Sequence, residues 1–212
     1  KRWLIPHLQP LWAHHTERRL VEPFCGGLAV SLALCPAQAL LSDHNEHVVN
    51  FYQWLQRGLT VTIEMRNDAT LYYAHRARFN ALIRAGQAQS ERAAQLFYYL
   101  NRTGYNGLCR FNRRNEFNVP FGRHATIHYQ TDFTRYQPLL NRWQFGSGDF
   151  ETLRLETDDL VYADPPYDVE FVDYSSRGFA WTDQVRLAYW LAQHPGPVIA
   201  SNQATDRISS LY

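Results

Sequence analysis

Cysteine is scarce in this chain of 212 residues: Cys25, Cys35 and Cys109 stand far apart and show no metal-ligand spacing. That excludes a disulfide framework or a zinc module and points to reduced thiols in a cytoplasmic protein. Long hydrophobic runs are absent as well. No apolar stretch approaches the roughly 20 residues of a membrane span, and no signal-peptide pattern opens the chain. The nine histidines form no metal-spaced cluster, so no metal is expected. Net charge is only +1, and lysine is nearly missing: of 21 basic residues only Lys1 is not arginine. Affinity for a polyanion must therefore come from a local patch. What the chain does have is 45% hydrophobic and 15% aromatic residues, enough to bury a real core. It opens abruptly at Lys1-Arg2-Trp3 and stops at Leu211-Tyr212 inside a predicted helix, so both ends are expected to be cut.

Taken in order, residues 1–19 predict a leading helix with a Trp3/Leu4/Leu8/Leu11/Trp12 apolar set, interrupted by Pro6 and Pro10. Leu20-Val21-Glu22-Pro23-Phe24 reads as a strand entering Cys25-Gly26-Gly27, with a short apolar helix up to Leu34 after it. A second strand, Ala39-Leu40-Leu41-Ser42, ends on Asp43. Strand, glycine turn and helix let backbone approach a ligand closely. An acid 17 residues after Gly26 is near the roughly 20-residue spacing at which a second-strand carboxylate takes a ribose hydroxyl pair. Asn45 is placed to cap a helix with Val48, Phe51, Tyr52 and Leu55 on its inward face, ended by Gly58. Residues 60–90 predict one or two surface helices without chemistry. Ser90-Glu91 starts another helix, and Phe145 to Phe150 predicts a strand and turn. Thr182 is placed to cap a helix bearing Val185, Ala188, Tyr189 and Ala192. A last strand, Pro197 to Ala200, ends on Ser201-Asn202.

Two stretches carry chemistry. After the apolar run Leu160-Val161-Tyr162-Ala163 comes Asp164-Pro165-Pro166-Tyr167. Two prolines fix φ and remove two donors, leaving a stiff turn whose carbonyls can accept. With a carboxylate and an aromatic face beside them, Asp164 and the Pro165 carbonyl suit the two protons of an exocyclic NH2 while Tyr167 stacks on its ring. The residues alone also allow an ordinary Asp-Pro turn with Tyr167 packed on the core. The second stretch runs from Asn101 to Arg123. Glycines and asparagines make it a loop and hairpin. It holds five arginines (Arg102, Arg110, Arg113, Arg114, Arg123) against one glutamate, with Tyr105, Phe111, Phe117 and Phe121 interleaved. That is a basic surface with stacking groups, suited to nucleic acid. By charge alone, a solvated basic hairpin with aromatics beneath it fits as well.

The tetrad resembles the catalytic motif of amino-group DNA methyltransferases. The 101–123 stretch is similar, almost residue for residue, to the recognition hairpin of the Dam-type adenine methyltransferases (D12 class, alpha group) that act on GATC. The resemblance implies an α/β, Rossmann-like, S-adenosylmethionine-dependent methyltransferase core over 1–58 and 144–212. An inserted, mostly helical DNA-recognition domain with its hairpin would occupy 59–143. It implies methyl transfer from S-adenosylmethionine to adenine N6 in double-stranded DNA, with base flipping. Asp164, Pro165, Pro166 and Tyr167 would be catalytic. The cofactor would meet Lys1, Phe24, Gly26, Gly27, Asp43, Asp149 and Asp164; Leu28 stands where the family's second glycine is expected. DNA would meet Arg102, Tyr105, Asn106, Leu108, Arg110, Asn112, Arg113, Arg114, Pro120 and Arg123. Among these, the residue matching Tyr105 wedges into the stack, Arg110 reads a guanine, Leu108 and Pro120 touch a thymine methyl, and Asn106 helps hold the backbone. N4-cytosine or another amino-group methylation, and a catalytically inactive DNA-binding relative, are the alternatives. No membrane partner is implied, and no residue speaks for or against a partner nuclease.

Overall fold

The structure, a computed structural model, describes residues 2–168 and 179–212. The Lys1 cofactor contact and most of the loop expected over 168–180 lie outside the described residues. The chain packs as two compact units, 1–45 with 142–212, and 46–141.

The first unit is built on a parallel sheet of β1 (Leu20–Glu22), β2 (Ala39–Asp43), β3 (Trp143–Ser147), β4 (Leu160–Ala163) and β5 (Val198–Ala200), in the order β3-β2-β1-β4-β5. Parallel strands are covered on both faces and read as unbroken apolar runs; β1 and β4 are buried at every position. Val21 lies between Leu40 and Val161, so the first strand is the middle of the sheet. The chain winds outward from β1 through β2 to β3, then returns to the far side of β1 for β4 and β5. The order therefore reverses between β1 and β4, and the crevice beyond the carboxyl ends at such a point is where open α/β sheets bind ligands.

Helix α1 (Ile5–Trp12) runs through both prolines instead of being interrupted. Pro6 sits in the first turn, where its missing N–H would have no partner. α2 (Ala29–Leu34) follows the glycine turn. α7 (Trp181–Ala192) starts one residue before the expected Thr182 cap: the Asp183 carboxylate accepts the Ala180 N–H at 2.9 Å. Its buried face is Gln184, Leu187 and Leu191, whereas Tyr189 is exposed. Leu187 and Leu191 join Val21, Phe150, Val161 and Ala163 in the core, and Gln184 turns inward for a hydrogen bond described below. Helix α8 (Asp206–Leu211) is capped by Thr205.

The second unit contains α3 (Glu46–Gln56), α4 (Ala69–Arg84), α5 (Glu91–Thr103) and α6 (Gln137–Leu140). The sequence places the boundary after residue 58, but α3 packs along α5 and belongs with the second unit. Its buried face holds His47 and Asn50 beside Val49, Tyr52 and Leu55. These two polar residues obscure the face in the sequence. The Asn50 Nδ2 donates there to the Ala88 and Ser90 carbonyls, both at 3.2 Å. α5 is the centre of the unit, buried from Ala93 through Leu100 and packed against both α3 and α4. The expected surface helices of 60–90 resolve into one, α4, capped by Asp68, and its Tyr72, His75 and Phe79 are buried.

Candidate active site

Three strand ends meet in the first unit. Past β1, Cys25 N–H donates to the Ser42 carbonyl at 2.8 Å and Gly26 N–H to Asp43 Oδ2 at 2.9 Å. Asp43 Oδ1 accepts the Asn45 N–H at 2.8 Å, and its carbonyl accepts the Gly148 N–H at 3.2 Å. The glycine turn, Asp43 and the loop bearing Asp149 are thereby joined along one edge. Gly26 takes φ +45, and a side-chain carbon at Gly26 or Gly27 would meet no atom within 4 Å. Leu28 also sits in the left-handed region, φ +56 and ψ +22. The family's second glycine is replaced here, yet the backbone keeps the shape that glycine favours. Phe24 is half-buried, its ring 5.8 Å from Phe150 and 5.5 Å from Phe179. An open glycine turn and a strand-end carboxylate, two of whose about four lone-pair sites are filled by the Gly26 and Asn45 amides, fit a nucleoside cofactor.

Asp149 is heavily engaged. It accepts from Glu151 N–H at 3.0 Å and from Arg186 Nη2 at 2.9 Å, while Arg186 also pairs with Glu151 and Asp183 and lies over the Phe150 ring. Glu22, to which the sequence assigns no role, is 3% exposed and accepts the Ser31 hydroxyl. Burial pushes its carboxyl up to about 8, opposed by the Ser31 hydrogen bond and reinforced by the charge of Asp164.

The tetrad leaves β4 directly across the switch point from the glycine turn. The register Ala163↔Ala200 puts Asp164 level with Ser201, whose hydroxyl donates to Asp164 Oδ1 at 2.6 Å. Tyr162 Oη lies 3.2 Å from the same Ser201 Oγ. Pro165 is buried and Pro166 exposed. Of the carbonyls expected to be open, that of Pro166 is taken by Gln184 Nε2 at 2.9 Å, and Asn202 Nδ2 donates in turn to Gln184 Oε1 at 3.0 Å. Just after the tetrad, Arg207 clamps the buried Asp168 with two donors and stacks over Trp181. Ser201, Gln184 and Arg207 carried no signal beyond Ser201 standing at a strand end, because their roles depend on β5 lying beside β4 and on α7 and α8 packing against the tetrad.

In the second unit the hairpin forms as expected, with Phe111 opposite Phe117 and Gly104 opposite Phe121. The base of the hairpin is tight: a side-chain carbon on Gly122 would come within 2.7 Å of the Gly104 carbonyl oxygen. Helix α5 continues to Thr103, so Arg102 belongs to its last turn, over the Tyr98 ring, and not to the loop. α4, assigned no chemistry from the sequence, braces the second strand. Tyr72 Oη and Arg76 Nη1 donate to the Val119 carbonyl at 2.9 and 3.0 Å, and Asn80 exchanges two hydrogen bonds with Phe117. Against that frame Tyr105 is 50% and Leu108 43% exposed. Asn106, Arg113, Arg114, Pro120 and Arg123 are exposed too, with Asn106 at φ +51. Asn112 builds the turn, its Oδ1 accepting from Arg114 and Glu116 N–H at 2.9 and 3.0 Å. Arg110 is exposed but held: Nε donates to Asn118 Oδ1 at 2.9 Å and Nη2 to the Asn118 carbonyl at 3.3 Å.

The parallel sheet brings a glycine turn and a proline-stiffened carboxylate to its switch point, where open α/β sheets bind their ligands. The chain matches the D12 class N6 adenine-specific DNA methyltransferases over residues 1–212 and belongs to that family. It is similar to the retron Ec67 DNA adenine methylase of Escherichia coli, 36% identical over 92% of this chain and 72% of that one. It is also similar to the Type II methyltransferase M1.LlaDCHI of Lactococcus lactis subsp. cremoris, 33% identical over 100% and 81%. The DNA adenine methylase of Escherichia coli K12 is 32% identical over 88% and 72%. The protein is thus an adenine-specific DNA methyltransferase that uses a methyl donor. Among the described residues no group of His, Cys, Asp or Glu is placed to hold a metal ion, and no helix is long and apolar enough to cross a membrane.

Proposed function

We propose that the chain methylates adenine N6 within GATC in duplex DNA, using S-adenosylmethionine and a base turned out of the helix. The carrying observation is the juxtaposition, across the β1/β4 switch point, of the Gly26–Asp43 turn and the Asp164 tetrad. Asp43 would take the ribose hydroxyls, and Gly26 and Gly27 would let backbone approach closely. Phe24 and Asp149 would border the adenine side. S-adenosylmethionine supplies, when bound, a methyl group on a positively charged sulfur.

Adenine N6 is a poor nucleophile because its lone pair is delocalised into the ring. The Asp164 carboxylate and the Pro165 carbonyl accept its two protons, favouring a pyramidal nitrogen with a localised lone pair, while Tyr167 stacks on the ring. These hydrogen bonds strengthen as the new C–N bond forms and the proton becomes acidic, so they raise the rate and not only the affinity. The methyl would pass to N6 by direct displacement as its bond to the sulfonium sulfur breaks and a neutral thioether leaves. The N6 proton, acidic once the C–N bond has formed, would be lost through Asp164 to solvent, so Asp164 needs no strong basicity. An amino group inside the stack is out of reach, so the base must leave the duplex.

In the hairpin, Arg110 would read a guanine edge, Leu108 and Pro120 a thymine methyl, and Tyr105 would wedge into the stack. Arg102, Asn106, Asn112, Arg113, Arg114 and Arg123 would hold the backbone. Domain roles follow: 1–45 with 142–212 as the catalytic core and 46–141 as the recognition domain. Labelled S-adenosylmethionine tested on GATC and on scrambled duplexes checks the reading. Label on adenine of the GATC duplex alone is the expected result; equal labelling of both removes the site assignment, and no labelling of either removes the donor assignment or the site.

A further inference from the structure

We propose that Ser201 and Tyr162 form a positioning relay that sets the orientation of the catalytic carboxylate. The inference rests on Asp164 being the acceptor for the adenine amino group. Ser201 Oγ reaches Asp164 Oδ1 at 2.6 Å, the short distance of a hydroxyl donating to a charged oxygen. A serine has one proton to give. Once that proton is committed to Asp164, the 3.2 Å contact between Tyr162 Oη and Ser201 Oγ requires Tyr162 to be the donor. Tyr162 is well suited to this: it is 2% exposed, and burial pushes its phenol up to about 12, so it keeps its proton. The chain therefore runs in one direction, from Tyr162 through Ser201 to Asp164.

The relay spans two adjacent strands. Tyr162 sits within β4 and Asp164 one residue beyond it, while Ser201 is the first residue past β5. Ser201 is fixed by its own backbone N–H, which donates to the Ala163 carbonyl at 2.9 Å. A carboxylate on a strand end turns about its last side-chain bond. Anchoring Oδ1 removes that rotation before substrate arrives, so the ordering cost does not fall on the reaction. Besides Asp164 itself, Glu22 on β1 and Tyr167 of the tetrad lie close enough to act on the Tyr162 phenol, each opposing its ionisation.

The test compares Ser201→Ala, Ser201→Thr, Tyr162→Phe, the Ser201→Ala/Tyr162→Phe pair and Asp164→Ala. Each is assayed with S-adenosylmethionine on a duplex that the wild type methylates, GATC in the first instance. Ser201→Ala should lower kcat roughly ten- to a hundredfold, the loss of a hydrogen bond to a charged group. KM for DNA and for the methyl donor should stay within about threefold, because the relay orients a reacting contact and holds neither ligand. Ser201→Thr, which keeps the hydroxyl, should recover most of kcat. Tyr162→Phe should cost less than Ser201→Ala, and the pair no more than Ser201→Ala alone, since the tyrosine acts only through the serine. The relay is overturned if Ser201→Ala turns over within twofold of wild type while Asp164→Ala is inactive. It is equally overturned if Ser201→Thr is as impaired as Ser201→Ala with a lowered Tm, which marks a packing role. Near-normal turnover by Asp164→Ala has a different meaning: it removes the catalytic reading of the tetrad, and the relay with it.

Discussion

Leu28 and Arg110 are each held in a definite conformation by their surroundings. Leu28 occupies a left-handed position at a cost of about 1–2 kcal/mol, yet its side chain is 3% exposed. Deleting a buried leucine costs about 2–5 kcal/mol, more than the strain it relieves. Leu28→Gly should therefore lower stability, by a net of up to about 4 kcal/mol in chemical denaturation, even though it restores the family's glycine. An unchanged or higher midpoint would mean that strain outweighs packing. Arg110 is held by Asn118 through Nε and Nη2, so its guanidinium has a fixed orientation. Arg110→Ala should cost about 1–3 kcal/mol of discrimination at one base pair, and Asn118→Ala part of the same amount at the same pair. A competition of GATC against its single-base variants at fixed salt measures both. Equal loss on every variant would make Arg110 a backbone contact.

Among the elements, β1 carries a buried carboxyl group. Glu22 ionises near its ordinary value of 4.5 in the unfolded chain but only at about 8 when folded. Between those values the folded state binds the extra proton, so its stability falls as pH rises from about 4.5 to about 8. Glu22→Gln retains an acceptor for the Ser31 hydroxyl and removes the titration. The variant should match wild type near pH 4.5 and at pH 8 exceed it in unfolding free energy by on the order of a few kcal/mol, read as a higher Tm. Parallel pH dependences of Tm for the two proteins would show that Glu22 does not titrate in this window. α4 makes a second point at this scale. Its Tyr72, Arg76 and Asn80 bind the Phe117–Val119 backbone, so a helix with no motif of its own shapes the hairpin that carries one.

At the scale of the whole molecule, a net charge of +1 leaves little long-range attraction for DNA. Five of the arginines lie between residues 101 and 123, facing one glutamate that is itself paired with Arg84. Salt dependence of duplex binding should therefore reside there. Replacing Arg113 and Arg114 together by alanine should lower the slope of log K against log salt by about two units and weaken all duplexes alike. A slope equal to that of wild type would place the phosphate contacts elsewhere.

Sequence alone determined the elements whose signals are local. The strand before the tetrad, the glycine turn and its Asp43, the hairpin of 101–123 and the family itself all follow from short stretches with fixed spacing. Asp43 was legible because a strand end and a glycine turn 17 residues apart constrain each other along the chain. What the tertiary structure decided were partners far apart in sequence. Ser201 lies 37 residues from Asp164, and Gln184 lies 18 from Pro166. Asn80 is 37 residues from Phe117, and α3 sits with the second unit because of its packing on α5. None of these pairings has a period or a motif. Each exists because strand order and helix packing bring together backbone and side-chain groups that burial obliges to find a partner.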